Sequence, residues 1–68
     1  MEIESFEKIL LDVHFGEETW KDRKATVNLV KDTYIVDCFN GEDVKYVRKS
    51  SYQQAQDAAE NWVLGYHP

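Results

Sequence analysis

Enzymatic chemistry asks for a nucleophile with a base in hydrogen-bond reach and a group to orient it, or for a metal held by three or more ligands. In this chain of 68 residues the side chains that could start such a set are Cys38, His14 and His67, together with scattered carboxylates. They do not assemble. Cys38 falls on the face of a strand predicted to be buried, where a cysteine acts as a small hydrophobe. His14 alternates outward from the first strand, and His67 lies in the C-terminal tail, so the two are not spaced as a metal pair. There is no phosphate-cradling glycine loop, no CxxC and no Gly-x-Ser-x-Gly. The expectation is a protein that is not an enzyme, with no catalytic residue, no cofactor and no bound metal.

Residues that could bind a partner are easier to find. Trp20 stands alone among charged and polar neighbours in residues 17–24, where an aromatic is either a binding anchor or a lid folded back over the edge of the core. Val30, Ile35 and Val47 are apolar residues predicted for the sheet face that a single helix cannot cover, which makes that face the first candidate for a partner surface or for self-association.

The elements that position these residues follow from periodicity. Residues 50–65 carry Tyr52, Ala55, Ala58, Ala59, Trp62 and Val63 at the three-and-four spacing of one helix face, with Gln53, Gln54, Gln56, Asp57, Glu60 and Asn61 on the other. Ser50 and Gln53 have the spacing of a capping box, and Gly65 is placed to end the helix in the left-handed conformation. Three alanines allow its backbone close to a sheet, and Trp62 is its large anchor.

Residues 7–15 alternate Ile9, Leu11, Val13 and Phe15 against Lys8, Leu10, Asp12 and His14, a strand with one buried face; a helical stripe of Ile3, Phe6, Ile9, Leu10 and Val13 is the competing pattern. Residues 25–30 form a second strand. A two-residue turn of Lys31 and Asp32 pairs Leu29 with Tyr34, Val27 with Val36 and Ala25 with Cys38. After residues 34–38, a three-residue loop of Phe39, Asn40 and left-handed Gly41 would pair Val36 with Val44 and Tyr34 with Tyr46, which keeps Val44 and Tyr46 on the core face. The predicted fold is therefore α+β: one domain spanning residues 1–68, an antiparallel sheet of three to four strands packed on one face by a C-terminal helix.

Charge bears on the partner. The net charge of −5 is uneven: residues 1–20 hold six acids against Lys8, whereas residues 21–49 hold seven bases against five acids. A negative field repels phosphate backbones, which disfavours nucleic acid, although Lys21, Arg23, Lys24, Lys45, Arg48 and Lys49 near the strand ends keep that reading as the alternative. A lone cysteine forms no internal disulfide, and no signal peptide or long apolar run is present, so the expected setting is a reducing cytoplasm with no membrane association. The leading expectation is a small protein-interaction module, with a structural homodimer as the third reading.

The stretch TYIVDCFNGEDVKYVRKSSYQQAQDAAENWVLGY, and above all AAENWVLG within it, resembles the C-terminal half of short uncharacterised proteins of T4-like tailed bacteriophages, including phages of marine cyanobacteria. The resemblance implies expression in an infected bacterial cytoplasm and a compact accessory protein, a modulator of a host protein in the fullest version. It carries over no catalytic or binding residues.

Overall fold

The computed structural model describes residues 7–67. Strands β1 (Lys8–Phe15), β2 (Lys24–Val30), β3 (Thr33–Phe39) and β4 (Val44–Lys49) form one antiparallel sheet in the order β1-β2-β3-β4, and helix α1 (Tyr52–Val63) closes the chain. The fold is α+β, with the helix packed on one sheet face. Every connection joins neighbouring strands, so the meander needs no crossover.

The helix is sealed onto β2 and β3 by small residues. Ala55 and Ala59 have no exposed surface, Ala58 almost none, and they lie against the fully buried Val27, Val36, Ala25 and Cys38. Alanine at these positions brings the helix backbone close to the sheet, and Trp62 fills the wider gap at the C-terminal end. Its indole Nε1 donates to the Phe39 carbonyl at 3.1 Å, so the ring is buried without leaving its polar atom unmatched. At the other end the Tyr34 and Tyr52 rings meet edge to face with centroids 6.1 Å apart. Burial of a side chain the size of Trp62 contributes about 2 to 3 kcal/mol before entropy, a large share for a domain this small.

Both helix ends are built from local chemistry. The N-cap is Ser51, one residue later than the capping box predicted at Ser50: its hydroxyl accepts from the Gln54 amide at 3.1 Å, while the Ser50 hydroxyl donates to the Gln54 side chain at 3.1 Å. Gly65 does end the helix in a left-handed turn, at φ +94°. The amides of Gly65 and Tyr66 reach the carbonyls of Trp62 and Asn61 at 3.1 and 2.8 Å, the paired bonds of a Schellman motif.

The first hairpin has the predicted register, with Leu29 opposite Tyr34, Val27 opposite Val36 and Ala25 opposite Cys38. Two other expectations are overturned. In β1 the pairing passes from Leu10 opposite Asn28 to Asp12 opposite Val27, so Leu11 is the extra residue of a bulge. The bulge exchanges the faces: Asp12 and His14 turn toward the helix, opposite Val27 and Ala25, while Val13 and Phe15 turn away from it. His14, predicted to point outward, is therefore beneath α1.

The second hairpin closes through four residues rather than three, with Phe39 opposite Val44. Asn40 causes this. Its side-chain oxygen accepts from the amides of Glu42 and Asp43 at 3.1 and 2.9 Å, and its own amide donates to the Asp43 carbonyl at 3.2 Å, with Gly41 at φ +101°. The extra residue turns β4 over. Val36 faces Val47 and Tyr34 faces Lys49, which puts Val47 among the partly buried residues of the core and leaves Val44 and Tyr46 on the uncovered face.

The two registers make opposite forecasts for β4. Val47→Asp places a charge against the core edge and should lower stability by about 2 kcal/mol or more, a fall of roughly 10 °C in Tm, whereas Val44→Asp should stay within about 1 kcal/mol of wild type. Thermal melts followed by circular dichroism separate them.

Candidate functional site

Three places in the fold collect the residues that sequence singles out. The first is the contact between β1 and α1. Gln56 donates to Asp12 Oδ2 at 2.7 Å, its carbonyl lies 2.5 Å from His14 Nε2, and it reaches the Tyr52 hydroxyl at 2.6 Å. His14 and Asp12 are 3.6 Å apart. The bulge creates this cluster by turning both residues inward. Hydrogen bonding from Gln56, then from the Val13 amide, holds the Asp12 carboxyl below its ordinary value of 3.8. The bonds of Gln56 to Asp12 and His14 join β1 to the helix. Cys38 is fully buried, and burial pushes its thiol up to about 11, so at neutral pH it is neither thiolate nor accessible. Among the described residues no three His, Cys, Asp or Glu side chains gather as metal ligands.

The second place holds Trp20. The β1–β2 connection contains a 3₁₀ turn, Glu18–Trp20, closed by bonds from the Gly16 amide to the Arg23 carbonyl and from the Arg23 amide to the Trp20 carbonyl, both 2.9 Å. The Arg23 guanidinium lies 4.6 Å from the centroid of the Trp20 ring and 4.0 Å from that of Trp62, and donates to the Trp62 carbonyl at 3.0 Å. That carbonyl belongs to the last turn of α1, where a cation also meets the negative end of the helix dipole. Glycine at position 65 leaves room for Trp20: a Cβ there would sit 2.4 Å from its ring. Trp20 thus closes the C-terminal edge of the core, away from Val30 and Ile35, with part of its ring still exposed.

The third place is the outer sheet face, and here the corrected registers change the chemistry. Three rows of cross-strand neighbours can be read across it: Phe15, Lys24, Phe39 and Val44; Val13, Thr26, Asp37 and Tyr46; Leu10, Asn28, Ile35 and Arg48. Val30 and Ile35 lie on this face as predicted, but Val47 does not. The apolar groups that sequence reasoning missed are Leu10, Phe15, Phe39, Val44 and Tyr46; Phe15 and Tyr46 are 66% and 65% exposed. Alternation alone assigned Phe15, Val44 and Tyr46 to the core. The Asn40-Gly-acid-acid loop was the signal that could have moved the last two.

Between these apolar flanks runs a polar floor. Asn28 is buried although no helix covers it, and its side-chain amide donates to the Thr26 hydroxyl at 3.1 Å and the Ile35 carbonyl at 3.2 Å. Lys8 reaches Asp37 Oδ2 at 2.8 Å, while Asp37 Oδ1 is buried with no hydrogen-bond partner among the described residues. A shallow cavity lined by Lys24, Thr26, Asp37, Phe39 and Val44 opens beside it. The face thus presents exposed apolar side chains around a polar floor.

No family model, curated protein or solved structure matches this chain.

Three outcomes test these placements. Gly65→Ala should destabilise the fold by at least about 1 kcal/mol, through the left-handed backbone and the Trp20 ring together, and should red-shift tryptophan emission. Native Cys38 should react with a thiol reagent at pH 8 only as fast as the protein opens, with full reactivity in denaturant. The Asp12 carboxyl should titrate below 3.8 by NMR and move back up in Gln56→Ala. Because the folded value is the lowered one, its contribution to stability is present above 3.8 and is lost as pH falls through the folded value.

Proposed function

We propose that this protein is a small non-enzymatic protein-interaction module that docks through the outer face of its sheet. The observation that carries the reading is the set of large apolar side chains on that face, Phe15, Tyr46, Leu10, Val44 and Phe39, standing exposed around the floor of Thr26, Asn28 and Asp37. Aromatic and aliphatic anchors around a small polar centre are the composition of a protein interface core. The net charge of −5 weighs toward a protein partner and away from a phosphate backbone. In the cytoplasm of an infected bacterium, the setting implied by the C-terminal resemblance, the partner is a host protein and this chain is its modulator.

A second reading has one observation in its favour. The corrected registers bring Phe15, Phe39 and Tyr46 onto one face with Lys24, whose ammonium lies 5.9 Å from the Phe15 centroid, and aromatic plus basic side chains on a sheet can stack single-stranded bases. Thirteen acids against eight bases weigh against it.

The test compares wild type with Tyr46→Glu and with Lys45→Glu, whose side chain is on the other side of β4, in affinity capture from nuclease-treated host lysate. A protein retained by wild type and Lys45→Glu but lost at least tenfold with Tyr46→Glu is the expected outcome. Equal capture by all three would remove the outer face as the docking surface.

A further inference from the structure

We infer that the partner segment taken by the outer sheet face is an acidic amphipathic helix, lying along β2 and β3 with its carboxylates on Lys24, Arg48 and Lys8. The inference rests on the docking-face reading above and gives the partner its chemistry.

Charge singles out this occupant. The outward-facing strand residues include three of the chain's eight bases, Lys8, Lys24 and Arg48, and one of its thirteen acids, Asp37. An acidic protein therefore turns a basic surface outward where its exposed apolar side chains gather. Lys24 and Arg48 are exposed and make no ion pair among the described residues. Lys8 spends one of its three donors on Asp37 Oδ2, which neutralises that acid and leaves donors for a second carboxylate. A second copy of this chain would bring like charges to the same points; an acidic segment brings opposite ones. The distant acids of the chain do not cancel this, because at physiological salt the Debye length is about 8 Å, and charges in contact escape the screening that distant ones undergo.

Shape favours a helix. The outer strands β1 and β4 lie about 14 Å apart at the usual strand spacing, and carry Leu10 and Phe15 on one side, Val44 and Tyr46 on the other. Between them Thr26 and the buried Asn28 stay low, so the middle of the face is a shallow trough that a helix about 10 to 12 Å across can enter. The cavity floored by Thr26 between Phe39 and Val44 takes one apolar side chain of that helix; Lys24 is on its wall, and Asp37, which also lines it, is held by Lys8. Lys24 and Arg48 are two strands and four residues apart, about 10 Å across the strands and about 14 Å along them, a length that two to three helical turns cover. Carboxylates on both borders of an apolar stripe therefore meet both cations. A phosphate backbone asks for more cations than these three, since its affinity comes mainly from neutralised phosphates, whereas an amphipathic helix binds through apolar contact and uses the cations for placement.

The experiment measures binding of fluorescently labelled peptides to the intact chain at neutral pH and about 0.15 M salt, up to about 500 µM protein. The probe is an end-blocked peptide of about 18 residues with leucine and phenylalanine at the three-and-four spacing and glutamate and alanine elsewhere; one twin has lysine for every glutamate, another a central proline. The glutamate peptide should bind with a micromolar Kd, and the proline twin at least about fivefold more weakly. Lys24→Glu and Arg48→Glu should each weaken the glutamate peptide at least about fivefold, while Lys45→Glu, the same change in net charge on the helix side of β4, should stay within about twofold of wild type. All three positions are exposed, so circular dichroism and the melt should be unchanged. A glutamate peptide that does not bind at the top of the range, or that Lys45→Glu weakens as much as Lys24→Glu and Arg48→Glu do, overturns the inference. A lysine twin that binds as tightly and is lost with Tyr46→Ala overturns the acidic chemistry and leaves the docking face standing, whereas a glutamate peptide indifferent to Tyr46→Ala removes the face itself. Equal binding by the proline twin overturns the helix. Tighter binding of a single strand of about 20 nucleotides, lost with Tyr46→Ala, overturns the inference in favour of nucleic acid.

Discussion

A single helix can cover one face of a sheet, and in this chain that constraint decides everything that follows. Helix α1 lies on Val27 and Val36 through three alanines, so the residues that β2 and β3 turn toward it form the core, the helix-side residues of the edge strands lie at its rim, and their neighbours are committed to the other face. Because side chains alternate, one inserted residue reassigns a whole strand. The β1 bulge and the four-residue Asn40 loop each do this, on opposite edges of the sheet. Their effects combine: both edge strands send their larger apolar residues to the uncovered face, and send Asp12, His14, Lys45 and Lys49 to the side of the helix.

The central part of this architecture is legible in the sequence because local and global signals agree there. Residues 25–38 alternate without interruption around a two-residue turn, and the helix carries its own stop at Gly65 and its own anchor in Trp62. The edges are not legible from alternation, for a physical reason. Choosing the β3–β4 loop that keeps Val44 and Tyr46 in the core assumes that apolar residues belong inside, whereas the core of this small domain is already filled by alanines, valines, Cys38 and Trp62. Asn40 then sets the loop length by satisfying two amides with its own side chain, an energy that alternation does not contain. Val47 was placed on the partner surface by the same assumption and is found at the core edge, while Val30 and Ile35 are where the first hairpin puts them.

Trp20 shows the opposite relation between sequence and site. Its isolation among charges suggested an anchor for something else, yet its partners are in the chain: Arg23 three residues on, and Gly65 far along the sequence. The cluster explains two features that local propensity leaves open. Arg23 donates to the Trp62 carbonyl in the last turn of α1, a helix with no basic residue in its final turn. The missing side chain at Gly65 serves the backbone turn and the ring packing at once. Trp20 is therefore held within the chain with part of its ring exposed, and of the four residues that sequence suggests for a partner surface, Trp20 lies apart from the outer face and Val47 at the core edge.

What remains on the outer face is unusual for a surface left to water. Asn28 is buried there with its amide satisfied within the sheet, and Lys8 extends to Asp37, so the floor is already organised by the chain's own hydrogen bonds. For the proposed docking, a floor ordered in advance would lower the entropy lost on association, which matters most for a small patch. Asp37 Oδ1 is already out of water without a hydrogen-bond partner among the described residues, so covering the face adds no new desolvation cost there, and any selection between partners falls to the exposed apolar side chains around it.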